Sequence, residues 1–206
     1  TGSELVGRDL AGRPLTGHRH AHVLPLDLDG DGHLDHALFW APDGFGSEAQ
    51  AAVRALRETW TKGGAGSLRV GVAAAGSLGV LSGLPDPWGA NLRRLVGPAS
   101  RWRSATPFLP PRHVKARGAN TLEGQIQAEL AGRGFPAAAS IRVFDRDEAL
   151  GARFRHFVLE RARGGPPPPV RCWYGLEIRF DVPVEGPICL GYAAHFGLGR
   201  LEAEGG

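Results

Sequence analysis

The sequence predicts an α+β fold: a ferredoxin-like core with added β-hairpins and a C-terminal glycine-rich loop. Two observations support this class. Two amphipathic helix patterns are separated by strand patterns, in an order that does not alternate as in a doubly wound parallel sheet. In addition, 31 glycines and 16 prolines make up 47 of the 206 residues, which favours turns and short elements over long helices.

The N-terminal half begins with a predicted hairpin over residues 17–42, which closes around an acidic turn. The first helix pattern follows it. Ser47 and Gln50 have the spacing of a capping box, an apolar stripe runs to Trp60, and Gly63-Gly64 predicts the end.

The second helix pattern begins after a Thr121 cap, places Ile126 and Leu130 on one face, and ends at Gly132 or Gly134. A single helical turn is predicted at 91–95 within a loop-rich stretch. Strands are predicted at 18–26, 34–40, 68–73, 101–105, 141–144, 154–159 and 172–180, of which 154–159 also fits a helix.

The charge composition is dominated by arginine. The chain has 24 basic and 21 acidic residues, and Lys62 and Lys115 are its only lysines. A guanidinium group offers a planar fork for phosphate, although a GC-rich genome also enriches arginine without functional cause. No run of 18 apolar residues and no signal-peptide pattern occur, so we expect a cytoplasmic prokaryotic protein without membrane contact, whose Cys172 and Cys189 are reduced and buried.

Three histidines, His18, His20 and His22, alternate within five residues. In a strand this spacing would put all three imidazoles on one face. Histidine can accept and donate a proton near neutral pH, and alternating histidines also bind metal ions. The pattern leaves open acid–base chemistry or RNA contact, a metal site, and a structural role.

Four carboxylates, Asp27, Asp29, Asp31 and Asp35, surround two glycines in the predicted hairpin turn. Oxygen ligands at alternate positions are typical of a calcium loop. The bidentate glutamate that completes an EF-hand is replaced by Leu38, so an EF-hand is excluded. A structural calcium site and a plain Asp-Gly turn both remain open.

The C-terminal run 191–199 contains closely spaced glycines, which let backbone amides approach a phosphate. It has no Walker lysine and does not match a dinucleotide fingerprint. Arginines also lie beside aromatic residues at 101–103 and 171–174, a combination that favours nucleic acid.

Taken together, the segments 15–36, 101–108 and 191–199 resemble the fused Cas-five/Cas-six subunit of type I-G (formerly I-U) CRISPR systems, in the RAMP superfamily. The resemblance is to the C-terminal, Cas-six-like half and covers nearly the whole chain. It implies that residues 1–206 are a single Cas-six-like RAMP domain with an RRM-like fold, and the C-terminal part of a longer fusion chain.

The resemblance also implies an activity in antiviral defence: an endoribonuclease that cuts the CRISPR repeat in precursor RNA without metal. A 2′-hydroxyl attacks the adjacent phosphate and leaves a 2′,3′-cyclic phosphate and a 5′-hydroxyl. The product stays bound in a type I effector complex with a Cas-five-like domain and other subunits. No cofactor is needed for catalysis. A structural calcium in the acidic turn stays open on the spacing of its aspartates alone.

We expect the catalytic histidines to be His18, His20 and His36, because paired strands would bring these imidazoles close together. A stem-loop of repeat RNA would be held by basic groups, namely Arg101, Arg103, Arg112, His113, Lys115, Arg117 and His195. Two alternatives remain. One is a non-catalytic RNA-binding subunit with a calcium loop, and the other is a metal-dependent hydrolase that uses the three alternating histidines.

Overall fold

The structure, a computed structural model, describes residues 3–8, 11–13, 15–60, 66–154, 157 and 167–205. It is an α+β protein with a four-stranded antiparallel sheet and two hairpins, which confirms the predicted class and the added hairpins. Its helices are α1 (Ser3–Val6), α2 (Ser47–Ala55), α3 (Leu78–Ser82), α4 (Trp88–Val96), α5 (Leu122–Gly132) and α6 (Arg146–Gly151). Its strands are β1 (His22–Leu26), β2 (His36–Trp40), β3 (Glu58–Trp60), β4 (Ser67–Arg69), β5 (Ala99–Ser104), β6 (Ser140–Val143), β7 (Leu176–Val184) and β8 (Leu201–Ala203).

The main sheet has the strand order β6-β7-β5-β8, with every neighbouring pair antiparallel. Trp102 on β5 lies opposite Ile178 on β7 and Ala203 on β8. Because side chains alternate along a strand, Trp102 and Ile178 share the buried face. Ile126 and Leu130 of α5 cover that face, so α5 is fixed against the sheet by its apolar stripe.

A second core lies under the hairpin β1–β2. Leu24 of β1 packs with Leu95 of α4 and with Cys189 and Ala194 from the segment that follows β7. Ala194–Phe196 form a 3₁₀ turn in the connection from β7 to β8. The packing therefore brings the start of β1 against the glycine-rich segment.

Helix α5 confirms the pattern from which it was predicted. The Thr121 hydroxyl accepts a hydrogen bond from the amide of Gly124 at 3.0 Å, and Ile126 and Leu130 are fully buried.

Helix α2 differs from its prediction at both ends. Gly46 is the N-cap and Ser47 is already helical, with no side-chain cap, while Gln50 donates to a backbone carbonyl. The predicted capping box is therefore wrong. The helix ends early because the chain pairs as a strand from Glu58 onward. The predicted stop at Gly63-Gly64 lies outside the described residues.

Several predicted strands are displaced. β7 begins at Leu176 rather than at 172, so Cys172 is exposed and the expected buried cysteine pair is wrong, although both thiols are free. α4 replaces the single turn predicted at 91–95. Phe154 and Phe157 belong to no strand, and the rest of 154–159 lies outside the described residues. Among the described helices, none has the length and apolar composition of a membrane span.

Candidate active site

Three imidazoles gather around the ring of a fourth histidine, His195. His20 stacks on it with ring centroids 3.9 Å apart and ring planes 6° apart. The ring centroid of His22 lies 4.1 Å from that of His195, with the two planes tilted by 32°. His18 is at 5.6 Å, with its Nδ1 3.4 Å from His195 Nε2. His195, expected among the RNA-binding groups and as an outside candidate for proton transfer, is therefore the centre of the cluster.

The cluster does not arise from a strand face. Only His22 belongs to β1, whereas His18 and His20 lie in the turns that precede it. The prediction that one strand aligns all three side chains is wrong. They converge because the second core holds the turn that carries His195 against the start of β1.

The hydrogen bonds define which nitrogen carries the proton in the neutral rings. His195 Nδ1 lies 3.1 Å from the carbonyl oxygen of Ala21, and because a carbonyl only accepts, the proton is on Nδ1. His195 Nε2 then accepts from His18 Nδ1, which leaves the unprotonated nitrogen of His18 at Nε2. A neutral His18 can therefore accept a proton at Nε2.

Burial lowers the pKa of every member of the cluster. Desolvation lowers the pKa of His195 to about 3, with further lowering by the neighbouring imidazoles, and it lowers the pKa of His22 to about 4. The pKa of His20 and that of His18 also fall below the ordinary value because of desolvation, and the Arg133 cation adds to the effect on His18. At neutral pH these rings are uncharged bases.

An ion pair that was not anticipated from the sequence supports the cluster. Arg133 Nη1 donates to the Glu129 carboxylate at 2.8 Å, and the same carboxylate accepts the backbone amide of Gly191 at 2.7 Å. Gly191 has φ +85°, and a side chain there would collide with Phe108, so only glycine fits. The pair thus ties the end of α5 to the segment that bears His195. Its i, i+4 spacing was the available sequence signal.

Several amides of the glycine-rich segment 191–199 are used within the protein. Those of Ala194, Gly197 and Gly199 donate to carbonyl groups, so these three are not free to bind a phosphate. The segment also places the ring of His195 in the cluster.

His36 lies away from the cluster. In the hairpin register His36 pairs with Leu26 while His22 pairs with Trp40, so the two histidines sit at opposite ends of the ladder. Four residues of strand separate these ends by roughly 13 Å. His36 contacts Asp35 at 3.0 Å and the ring of Trp88. The expectation that pairing brings His36 to the other histidines is therefore wrong.

The acidic turn is organised by its own backbone. Both carboxylate oxygens of Asp27 accept amides, from Gly30 at 2.7 Å and from Gly32 at 2.8 Å. Asp27, Asp29 and Asp31 each contribute one carboxylate oxygen to a cluster in which these atoms lie within 4.8 Å of one another. Among the described residues, this is the group of His, Cys, Asp or Glu side chains close enough to hold one metal ion. Asp35 is not in it, because its Oδ1 accepts the amide of Leu28.

The basic groups expected to bind RNA fall into two environments. Arg101 and Arg103 lie on the outer face of the sheet within ion pairs: Arg101 Nε is 3.1 Å from Glu177 and 2.7 Å from Glu204, and Arg103 Nη2 is 3.0 Å from Glu148. Arg142 donates to the same Glu177 at 2.6 Å, and these cations lower the pKa of Glu177 to about 2. This face carries both signs of charge.

The second environment is an exposed loop over residues 111–120, here called the basic loop. Buried Gln125 holds both of its ends: Gln125 Oε1 accepts the amide of Arg112 at 3.0 Å, and Gln125 Nε2 donates to the carbonyl of Asn120 at 3.1 Å. Within the described part of the chain, the basic side chains of the loop form no ion pair; they are Arg112, His113, Lys115 and Arg117.

A cavity of about 220 Å³ opens beside the histidines, between the end of α5 and the hairpin β1–β2. His18 and His22 line it together with Arg133, Trp40 and Phe135. The site thus combines neutral bases, a buried cation and aromatic walls.

Comparison of the chain with protein-family models, with curated proteins and with solved structures finds no match.

Proposed function

We propose that this chain is an endoribonuclease that cuts CRISPR repeat RNA without a metal ion and keeps the product as part of an effector complex. The observation that carries the proposal is the cluster of uncharged imidazoles around His195, next to a cavity that also contains a buried arginine. Cleavage by a neighbouring 2′-hydroxyl needs a base, an acid and positive charge near the phosphorane, and the cluster contains imidazoles for the two proton transfers.

In this mechanism His18 Nε2 removes the proton from the 2′-hydroxyl, since the hydrogen bond to His195 orients its ring. The oxygen attacks the adjacent phosphorus, the bond from phosphorus to the 5′-oxygen breaks, and a 2′,3′-cyclic phosphate forms. His20, stacked on the same central ring, is our candidate for protonating the leaving oxygen. Because burial lowers the pKa of His20, this ring first takes up a proton from solvent and then donates it to the 5′-oxygen. The basic loop would hold the phosphates of the repeat stem.

The strand order supports a ferredoxin-like core in residues 99–203. In chain order β5, β6, β7 and β8 are the first to fourth strands, and their spatial order β6-β7-β5-β8 is that of a βαββαβ unit in which a 3₁₀ turn replaces the second helix.

A cleavage assay on labelled repeat RNA tests the proposal. His18→Ala and His20→Ala should each lower the cleavage rate by about 100-fold or more while leaving repeat binding within a few-fold of wild type. His36→Ala is the matched comparison and should cut at nearly the wild-type rate because His36 lies at the far end of the hairpin. Normal cleavage by both cluster variants would refute the proposal.

The second candidate is a non-catalytic repeat-RNA-binding subunit with a structural calcium in the acidic turn. The proximity of oxygens from Asp27, Asp29 and Asp31 favours it. Binding alone does not separate the two candidates, because a nuclease that retains its product also binds. Cleavage in EDTA does separate them from each other and from a metal-dependent hydrolase: full activity supports the first, no activity with or without metal supports the second, and activity restored by a divalent ion supports the hydrolase.

A further inference from the structure

The cavity beside the histidines has walls suited to a flat ring. Trp40 and Phe135 contribute aromatic surface, and Pro42 and Pro187 contribute rigid apolar surface. Aromatic side chains stack on the flat faces of nucleobases, and this contact does not require a charged group. His18, the base in the proposed reaction, lines the same cavity, so a ring bound there would lie next to the reacting group.

Arg133 supplies a specific polar feature of this cavity. Its side chain is only 7% exposed, and Nη1 is engaged by the carboxylate and the carbonyl oxygen of Glu129. Nε and Nη2 are buried and have no hydrogen-bond partner among the described residues. Unsatisfied buried donors are costly and rare. These two nitrogens form one edge of the guanidinium, the two-donor fork that recognises a pair of adjacent acceptors.

The charge around the cavity argues against a phosphate as the group that meets this fork. Glu129 already offsets the charge of Arg133, and Glu185 adds a carboxylate to the lining. Arg19, which also lines the cavity, is paired with Asp43. A neutral ligand with two adjacent acceptors fits this balance better than an anion does.

Among the RNA bases, guanine presents such a pair on one edge, O6 and N7, and arginine binds this edge with two hydrogen bonds. We propose that the cavity binds an unpaired guanine base of the RNA beside the bond that is cut, with Arg133 reading O6 and N7 between Trp40 and Phe135. Binding requires the Nε–Nη2 edge to turn towards the cavity. The inference rests on the proposed function, in which RNA is the substrate of His18.

Calorimetric titration of the full chain with GMP, AMP and inorganic phosphate tests this proposal. GMP should bind at least 10-fold more tightly than AMP, and phosphate should bind more weakly than either. Arg133→Lys keeps the positive charge but loses the fork, so it should remove the preference for GMP over AMP. Arg93→Lys is the control: Arg93 is an exposed arginine of α4 paired with Asp86, and its variant should keep the preference.

If Arg133→Lys does not fold, as judged by circular dichroism, Phe135→Leu replaces it. That variant keeps apolar volume but removes an aromatic wall, and it should weaken GMP binding by about 10-fold. Equal affinity of the wild-type chain for GMP and AMP, or phosphate binding as tight as GMP binding, would overturn the inference. So would a GMP preference that survives in folded Arg133→Lys or, where that variant does not fold, an unchanged GMP affinity of Phe135→Leu.

Repeat cleavage is measured separately on the same preparations. If the wild-type chain shows no preference for guanine but cleaves repeat RNA normally and in a His18-dependent way, only the inference is overturned. Guanine preference without any cleavage leaves the base site standing and overturns the proposed nuclease.

Discussion

Glu129, in the last turn of α5, and Arg133, the residue that caps its C-terminus, form a largely buried ion pair whose carboxylate also accepts the amide of Gly191. This relationship joins the last turn of the helix to the segment that carries His195. The position of the central imidazole thus depends on a pair of side chains that never touches it.

Glu129→Gln should therefore destabilise the protein and loosen the histidine cluster. The amide keeps one acceptor but loses the charge that balances a buried guanidinium, so we expect a loss of about 1–3 kcal/mol in the free energy of unfolding. Urea unfolding measures it. Glu123→Gln, at an exposed position of the same helix, is the control and should change stability by less than about 0.5 kcal/mol. Equal losses for the two variants would contradict the role assigned to the pair.

Stability should fall as the pH drops below the ordinary pKa of histidine. Burial lowers the pKa of His195 to about 3 and that of His22 to about 4, so the unfolded chain takes up protons between pH 6.5 and these values while the folded protein does not. The stabilisation is complete above about pH 6.5 and is lost at about 1.4 kcal/mol per pH unit for each histidine.

Chemical denaturation between about pH 7 and about pH 5 measures this slope. His195→Asn should flatten the slope relative to wild type, whereas His113→Asn, in the exposed basic loop, should leave it unchanged. A wild-type slope retained by His195→Asn would show that its ring does not have a lowered pKa in the folded protein.

How much the sequence could predict depended on whether local pattern or tertiary packing decided each feature. Helix α5 was predictable because its cap and apolar stripe are local signals that the sheet reinforces. The end of α2 was not, because pairing of β3 with β4 overrides the helical periodicity that runs to Trp60.

The same distinction applies to the site. The alternating histidines do lie together in the structure, but a shared strand face is not the reason, and the partner chosen for them was not the one that the fold brings near. His36 was chosen for being on the paired strand, while the actual companion, His195, is 177 residues from His18 in the chain and meets it only through the second core. Arg133 was passed over because nothing in its local sequence shows that Nε and Nη2 are buried without acceptors.

The salt dependence of RNA binding should separate the two sets of arginines. Arg112, Lys115 and Arg117 are exposed and form no ion pair within the described residues, so each one that binds a phosphate releases counterions. Replacing all three by Ala should lower the slope of log K against log salt by about 1 for each phosphate that the variant no longer neutralises.

The matched double variant, Arg101→Ala with Arg103→Ala, removes cations that are already paired with glutamates. We expect it to change the slope by less than about 1 in total. A larger change in slope from this double variant than from the loop variant would indicate that RNA binds at the face of the sheet rather than at the basic loop.

Calcium should stabilise the protein if the acidic turn binds it, because an ion that binds only the folded state adds to its stability. At about ten times its Kd the ion contributes about 1.4 kcal/mol, which corresponds to a rise of about 3–6 °C in Tm for a chain of this size.

Asp29→Asn should abolish this rise in Tm, because Asp29 is exposed and contributes one of the three clustered carboxylates. The variant leaves in place the Asp27 oxygens that accept the backbone amides of Gly30 and Gly32. Magnesium at the same concentration is the control. Because Mg²⁺ requires near-octahedral geometry and gives up its water reluctantly, we expect a flexible carboxylate loop to bind it poorly. The same rise in wild type and in Asp29→Asn would mean that calcium acts elsewhere, and the turn would then be held by its backbone hydrogen bonds alone.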